Sequence, residues 1–206
     1  MRENDSAAAT FSGFMRTYGG LFDGEPDTDD FVRVAWIGTP LGPMLAGADS
    51  AALRFLDFFD RRAISAQIAA LRRTSAKPIA PGDCPVIESL RAELAAYFSG
   101  TLRAFSTPAL APGTPFQSLV WEALRGIPYG ETRSYGDIAR LIGSPGASRA
   151  VGAANGINRV AIVIPCHRVV NGNGTLGGYG GGLERKQALL QLERSAKGPA
   201  ADALFC

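Results

Sequence analysis

Alternation of apolar and polar residues predicts three short strands in the first half of the chain. The run FVRVAWI begins at Phe31, PMLAGAD follows a predicted turn at Thr39–Gly42, and ALRFLDFF comes next. Two helices are predicted after the strands, over Arg62–Arg73 and Pro85–Phe98, because apolar residues recur there every three or four positions. We therefore expect a small α+β domain over residues 31–105.

The segments around this domain have a different composition. Residues 1–30 show no periodicity and end in the acidic run DGEPDTDD, which predicts a flexible tail. Residues 106–113 (STPALAPG) contain two prolines and are predicted to form a linker. A second domain is then expected over residues 114–196, followed by a C-terminal tail at 197–206.

The second domain is predicted to begin with a helix. Thr114 is a suitable N-cap, Pro115 suits the first helical position and Gln117 lies three residues after the cap. This helix should end near Gly126. Two short helices are predicted next, from Ser134 to Gly143 and from Ser144 to Gly156. Their spacing fits a helix-turn-helix or an ordinary helical hairpin.

Small residues dominate the second short helix. They are Ala147, Ala150, Gly152, Ala153 and Ala154. Without bulky side chains, this helix is able to approach another surface closely, whether protein or DNA.

Composition and charge narrow the choice of function. Residues 1–113 carry 11 Lys/Arg and 13 Asp/Glu, whereas residues 114–206 carry 10 and 6, so the second half is mildly basic and suits a polyanion. Three cysteines form no even framework, and neither a signal peptide nor an apolar run of about 20 residues is present. We expect an intracellular, cytoplasmic protein with free thiols. The single histidine, His167, excludes sites that need two or three histidine ligands.

Candidate chemistry is concentrated after an apolar run, Val160–Ile164, which suggests a strand ending at Pro165. Cys166 and His167 follow directly. A thiolate is the reactive form of cysteine, and a neighbouring base, a cation such as Arg168 or a helix N-terminus would favour it. Adjacent side chains point in different directions, so a bridging water is the natural link between Cys166 and His167. The alternative is an inert buried cysteine beside a structural histidine.

The glycines after this site match a dinucleotide-binding pattern only superficially. Gly172, Gly174 and Gly177 satisfy G-x-G-x-x-G, but a nucleotide fold needs a helix at these glycines and further parallel strands. More glycine follows, and fewer than 30 residues remain. We expect instead a turn at Asn171-Gly172 and a pliable loop presenting Tyr179.

Four separated blocks resemble the O6-alkylguanine-DNA alkyltransferases, also called methylated-DNA–protein-cysteine methyltransferases, of the bacterial type. The blocks are TPFQSLVWEALRGIPYGETRSYGDIA, SRAVGAANGIN, IVIPCHRVV and GYGGGLERKQALLQLE. The resemblance is dense over Thr114–Glu193 and extends weakly upstream through TPLGPML and LRFLDF. It implies a ribonuclease-H-like N-terminal domain and a C-terminal winged-helix-like domain.

The resemblance implies roles for four catalytic residues. Cys166 matches the alkyl acceptor, and His167 matches the residue that deprotonates it through water. Glu193 matches the acid that orients the histidine, and Asn158 matches the hinge asparagine before the active-site turn.

The resemblance also implies DNA-binding and pocket residues. Arg149 corresponds to an arginine finger that fills the stack vacated by a flipped nucleotide, on a helix whose Ala150 and Gly152 face DNA. The implied guanine pocket is formed by Tyr135, Val169, Tyr179, Gly180 and Gly181.

The implied function is irreversible transfer of an alkyl group from O6 of guanine, and also from O4 of thymine, to Cys166. The implied partner is double-stranded DNA, with the protein acting as a monomer without cofactor or metal. A non-catalytic lesion-binding relative is the alternative; such relatives replace the acceptor cysteine. Regulatory members carry a Cys-rich metal domain upstream, whereas only Cys84 precedes the core here. Asn155 and Arg159 depart from residues common in the family, and Asn155 is expected to affect tolerance of bulky alkyl groups.

Overall fold

The computed structural model describes residues 11–22, 30–61, 64–75 and 77–196. The chain divides into two compact units. Of the described residues, those up to Glu93 and Thr107–Leu110 form the first unit. Leu94–Ser106 and the residues from Ala111 onward form the second. The elements are mixed helix and strand, which confirms the α+β class.

The first unit is built on a four-stranded sheet. Its strands are β1 (Val32–Ile37), β2 (Met44–Ala48), β3 (Leu53–Phe58) and β4 (Ile79–Pro81), in the order β3-β2-β1-β4. The first three form an antiparallel meander, and β4 pairs parallel to β1. The Thr39–Gly42 turn joins β1 to β2, with the Gly42 N–H donating to the Thr39 carbonyl at 3.0 Å. The three predicted strands are confirmed, whereas β4 was not predicted.

Helix α2 (Ile64–Ser75) covers one face of this sheet and confirms the helix predicted after the strands. Its apolar residues Ile64, Ile68 and Leu71 enter a buried cluster with residues of the sheet. Burying such side chains removes about 25 cal/mol of unfavourable hydration for each Å² of apolar surface. These three apolar residues therefore determine which face of α2 packs against the sheet.

Part of the segment predicted as a flexible tail is structured. Helix α1 (Phe11–Tyr18) and a 3₁₀ turn (Gly19–Leu21) lie within residues 1–30. Met15 and Phe22 pack against the buried cluster of the first unit, which explains why this stretch is ordered. The prediction of a tail is wrong for residues 11–22; the rest of it up to residue 29 lies outside the described residues.

Helix α3 (Pro85–Phe98) has the predicted bounds; it begins in the first unit and ends in the second. The division at Glu93 thus differs from the predicted boundary at 105. The predicted linker 106–113 also contains paired residues, because Pro108 accepts from the Leu53 N–H at 2.8 Å and the Leu110 N–H donates to Leu53 at 2.9 Å.

The second unit continues with helix α4 (Pro115–Arg125), which begins and ends as predicted. The Thr114 side chain accepts from the Gln117 N–H, and the Gln117 side chain accepts from the Thr114 N–H. This reciprocal capping box satisfies two amides that the helix itself leaves unpaired. Trp121 on the buried face donates from Nε1 to the Ala154 carbonyl at 3.0 Å.

The two predicted short helices are present, and they pack on α4 and on each other. They are α5 (Tyr135–Leu141), capped by Ser134, and α6 (Ser148–Gly156). The predicted start of α6 at Ser144 is wrong. The Ser144 N–H bonds back to Ala139 at 2.8 Å, so the residues after it form a turn and the helix begins four residues later.

The apolar run Val160–Ile164 is not a strand, and that suggestion is corrected. It folds into a tight buried turn with a single bridge between Ala161 and Ile164, and Ile162 has a φ of 70°. The short strands β5 (Arg133–Ser134) and β6 (Val169–Val170) pair in parallel, and α7 (Leu183–Ser195) follows. Within the described ranges, no helix combines the length and apolar character needed to cross a bilayer.

Candidate active site

Cys166 lies in a buried 3₁₀ turn, Cys166–Arg168, directly after Pro165. Only 5% of the residue is exposed. Its N–H donates to the Ile164 carbonyl at 2.8 Å, and its Sγ accepts a hydrogen bond from Asn158 Nδ2 at 3.1 Å. A donor at the sulfur favours the thiolate over the thiol, because it stabilises the negative charge.

Asn158 holds the turn that leads to this cysteine. Its Nδ2 also donates to the Ile164 carbonyl at 2.9 Å, and its Oδ1 accepts from the Val160 N–H at 3.0 Å. The side chain is buried and spans the loop between α6 and Cys166. One amide thus fixes both the loop backbone and the sulfur.

His167 and Glu193 form a fully buried pair. The distance from His167 Nε2 to Glu193 Oε1 is 2.8 Å, and both side chains are 0% exposed. Burial raises the pKa of Glu193, but hydrogen bonds and charge from His167 and Arg168 outweigh it and lower this pKa to about 2. Burial lowers the pKa of His167, and the hydrogen bond and charge of Glu193 oppose this shift without reversing it.

The directions of these two pKa shifts indicate which imidazole nitrogen carries the proton. An ionised carboxylate only accepts hydrogen bonds, so the neutral ring carries its proton on Nε2. Nδ1 is then the basic nitrogen; it is buried and has no hydrogen-bond partner among the described residues. The site therefore holds a neutral imidazole with a free lone pair next to Cys166 in the chain.

Arg168, which the sequence offered as one cation near Cys166, pairs with Glu193. Its Nε donates to Glu193 Oε2 at 2.9 Å, and its Nη2 donates to Oε1 at 2.9 Å. The Gly130 N–H and the Tyr97 hydroxyl also donate to this carboxylate, at 3.0 and 2.7 Å. Glu193 is the centre of a buried network, which accounts for its low pKa.

Two further groups interact electrostatically with Cys166. Burial lowers the pKa of Lys186, and the charge of Cys166 opposes this. The Lys186 ammonium donates to the carbonyls of Val169 at 2.5 Å and Gly177 at 3.1 Å. Burial raises the pKa of Tyr135, and the charge of Cys166 raises it further. Tyr135 is therefore a protonated phenol at neutral pH.

A surface cleft of about 750 Å³ lies on the side of α6 that carries Arg149. Its lining includes five of the predicted residues, which are Tyr135, Arg149, Gly152, Tyr179 and Gly180. Arg149 is exposed at the start of α6. The structure thus brings these five predicted residues to one cleft.

The other predicted pocket and DNA-binding residues are placed differently. Ala150 is exposed on α6, and Gly181 is half-buried before α7. Val169 is fully buried in β6. Asn155 is also buried, with Nδ2 donating to the Cys166 carbonyl at 3.3 Å. The lining of the cleft contains none of these four residues.

Three residues at or near the site were not predicted from the sequence: Lys186, Tyr97 and Gly130. Lys186 lies seven positions before the predicted Glu193 on α7, and the buried Leu189 and Leu190 lie between them. A charged residue at each end of an apolar helical face could have indicated a functional site, because charged side chains are rarely buried unless they are paired. Tyr97 and Gly130 carry no such signal, because their partner lies far away in sequence.

No group of three or more His, Cys, Asp or Glu side chains suited to a metal ion occurs in the part of the chain that the structure describes. The absence of a metal stays a prediction.

Comparisons with known proteins agree on one family. A family model described as 6-O-methylguanine DNA methyltransferase, DNA binding domain, matches residues 115–195. A methylated-DNA–protein-cysteine methyltransferase of Mycobacterium tuberculosis is 58% identical over 113 residues, covering 55% of this chain and 68% of that protein. One from Methanosarcina acetivorans is 43% identical over 162 residues, covering 76% and 95%.

A solved structure is similar over most of the fold. The crystal structure of Mycobacterium tuberculosis OGT in complex with DNA has a TM-score of 0.70 and 43% identity, covering 80% of this chain and 94% of that one. Together with the relative matched over nearly its whole length, this shows that the chain belongs to the family of methylated-DNA–protein-cysteine methyltransferases.

Proposed function

We propose that Cys166 is the residue that takes the alkyl group when this protein repairs O6-alkylguanine in DNA. The family's reaction moves an alkyl group from DNA to a cysteine, and it is irreversible because a thioether is a poor leaving group. The observation that carries the assignment is the hydrogen bond from Asn158 Nδ2 to the Cys166 sulfur, beside the buried His167–Glu193 pair.

The proposed proton path begins at the thiol. A water molecule passes the thiol proton to Nδ1 of His167, and Glu193 stabilises the resulting imidazolium through Nε2. The Asn158 amide and the Lys186 charge stabilise the thiolate. The sulfur then attacks the alkyl carbon; the S–C bond forms, the C–O6 bond breaks, and the proton is returned to the guanine.

The base must leave the duplex before this attack, which costs a few kcal/mol. We assign Arg149 to the vacated position in the stack, because a planar guanidinium stacks well on bases. Ala150 and Gly152 leave room for α6 to approach the minor groove. The Tyr135 hydroxyl donates a hydrogen bond to the flipped base, and Tyr179, Gly180, Gly181 and Val169 complete the pocket.

We further propose the finer fold assignments. An antiparallel meander followed by a helix and a fourth strand parallel to the first supports a ribonuclease-H-like first domain. Helices α4 to α6 with the β5–β6 pair support a winged-helix-like alkyltransferase domain over residues 114–196. The partner is double-stranded DNA carrying O6-alkylguanine, bound by a monomer, with O4-alkylthymine as a second substrate.

The test is intact-mass and peptide analysis after incubation with a duplex containing O6-methylguanine. One methyl group should appear on Cys166. Cys84→Ala should react like the wild type, whereas Cys166→Ala should stay unmodified yet bind the duplex. A folded wild-type protein that binds the lesion without gaining mass would favour the lesion-binding alternative. A methyl group on Cys84 would identify Cys84, and not Cys166, as the acceptor.

A further inference from the structure

Tyr97 is a buried residue near the end of α3 whose hydroxyl reaches the catalytic carboxylate. It is 0% exposed, and its Oη donates to Glu193 Oε1 at 2.7 Å. Burial and the negative charge of Glu193 both raise the pKa of Tyr97, so the phenol stays protonated and remains a donor. A buried hydroxyl needs a partner, and Glu193 is the one that it has.

The oxygen that accepts from Tyr97 is the same oxygen that faces His167. Oε1 lies 2.8 Å from His167 Nε2, while the Gly130 N–H binds Oε2 from a different direction. The carboxylate therefore has donors on both oxygens. Without Tyr97, Oε1 would keep only Arg168 and His167 as partners among the described residues, and the carboxylate would be freer to rotate towards the Gly130 N–H on Oε2.

We propose that Tyr97 is a positioning residue that holds Glu193 Oε1 against His167 and thereby fixes the imidazole tautomer. The expected effect of Tyr97 on alkyl transfer rests on the proposed function. It also places a part of the catalytic network outside residues 115–195, the segment that the family model matches. A chain that kept only this segment would lack one donor to its catalytic acid.

A neighbouring tyrosine provides a matched control. The ring of Tyr129 lies 6.0 Å from that of Tyr97, with an interplanar angle of 84°. Its hydroxyl is also buried, but it has no hydrogen-bond partner among the described residues. Tyr97→Phe and Tyr129→Phe therefore remove the same atom from the same aromatic cluster, and only the first removes a bond to Glu193.

The direct readout is ¹⁵N NMR of the imidazole in the full-length, untagged protein. The chain has one histidine, so both ring nitrogens are assigned without ambiguity. In the wild type, Nε2 should be protonated and Nδ1 should not. In Tyr97→Phe, the Nε2 proton should shift upfield and exchange faster, and the Nδ1 signal should move towards the protonated value. Tyr129→Phe should match the wild type.

The second readout is the single-turnover rate with free O6-benzylguanine, which requires no base flipping. General base catalysis contributes roughly 10²–10⁴-fold, and we expect Tyr97→Phe to lose about tenfold of this. The proposal would be overturned if Tyr97→Phe kept the imidazole signals and the reaction rate of the wild type, even with a lower Tm. Equal changes in both variants would also overturn it, because they would indicate packing alone. If the wild type failed to alkylate Cys166, the proposed function would fail, and the NMR comparison would still decide the role of Tyr97.

Discussion

The cysteine at the centre of this site is subject to opposing effects. Burial disfavours a thiolate, because the charged form loses its hydration. The Asn158 amide lies 3.1 Å from the sulfur, and hydrogen bonds to charged groups contribute about 1.5–3 kcal/mol. The buried Lys186 ammonium adds an attractive charge. These contributions are large enough to offset part of the desolvation while keeping the sulfur away from bulk oxidants.

Arg149 offers a test that separates base flipping from chemistry. Arg149→Ala should slow repair of duplex O6-methylguanine by about a hundredfold, since loss of a few kcal/mol of stacking shifts the flipping equilibrium. Reaction with free O6-benzylguanine should change less than about threefold, because the free base is already outside a duplex. Single-turnover rates on both substrates provide the measurement.

The control for this experiment is Arg194→Ala, which removes an exposed arginine from α7. It should leave both rates close to those of the wild type. Equal losses on duplex and free base in Arg149→Ala would remove Arg149 from the flipping role.

Single residues were predictable where their chemistry is unusual for their surroundings. Cys166, His167 and Asn158 were predicted because PCHR and its flanking blocks match a known pattern, and the structure brings them together with Glu193. Arg168 was named from the sequence only as an example of a cation that would favour the Cys166 thiolate. Sequence proximity favoured Cys166, whereas the guanidinium reaches a carboxylate 25 positions away.

Among the elements, α4 has the most complete local signals. Thr114, Pro115 and Gln117 form the capping arrangement that its sequence predicted. The side chain of Thr114 satisfies an amide that would otherwise lack a partner. Loss of such a cap typically costs about 1 kcal/mol.

Thr114→Ala should therefore lower the free energy of unfolding of the second unit by about 1 kcal/mol. Fluorescence of Trp121 during urea unfolding reports this in a Trp36→Phe background, because Trp121 is then the only tryptophan. Ser118→Ala, an exposed change on the same helix, should stay within about 0.5 kcal/mol of the parent. An unchanged midpoint for Thr114→Ala would contradict a stabilising cap.

Elements that depend on distant partners were the least predictable. Strands β4, β5 and β6 have only two or three residues each, and every one of them is defined by parallel pairing with a remote segment. The Val160–Ile164 run has the composition of a buried strand. Asn158 and the positive φ of Ile162 fold it into a turn instead. Local periodicity carries no information about such long-range contacts.

For the molecule as a whole, the buried charges around Glu193 make stability depend on pH. The pKa of Glu193 falls from 4.5 to about 2 in the folded state. A lowered carboxyl pKa stabilises the fold above the unfolded pKa, and this stabilisation is lost as the pH falls from about 4.5 towards 2.

Glu193→Gln should therefore lose about 3 kcal/mol or more of stability at pH 7, because Arg168 is left as a buried charge without a counterion. The difference from the wild type should shrink steadily below pH 4.5. Urea unfolding across this range measures it, with the exposed Glu184→Gln on α7 as control. A difference that is constant with pH would show that Glu193 does not titrate in this window.

The contact between Asn158 and the Cys166 sulfur also governs what happens once repair is complete. A thioether is a weak acceptor, and its new carbon occupies space in a site that is already closely packed. If Cys166 takes the alkyl group as proposed, the Asn158 amide that holds the loop loses its anionic partner. The proposed transfer would therefore mark each spent molecule structurally, because it weakens one of the bonds that hold the loop before Cys166.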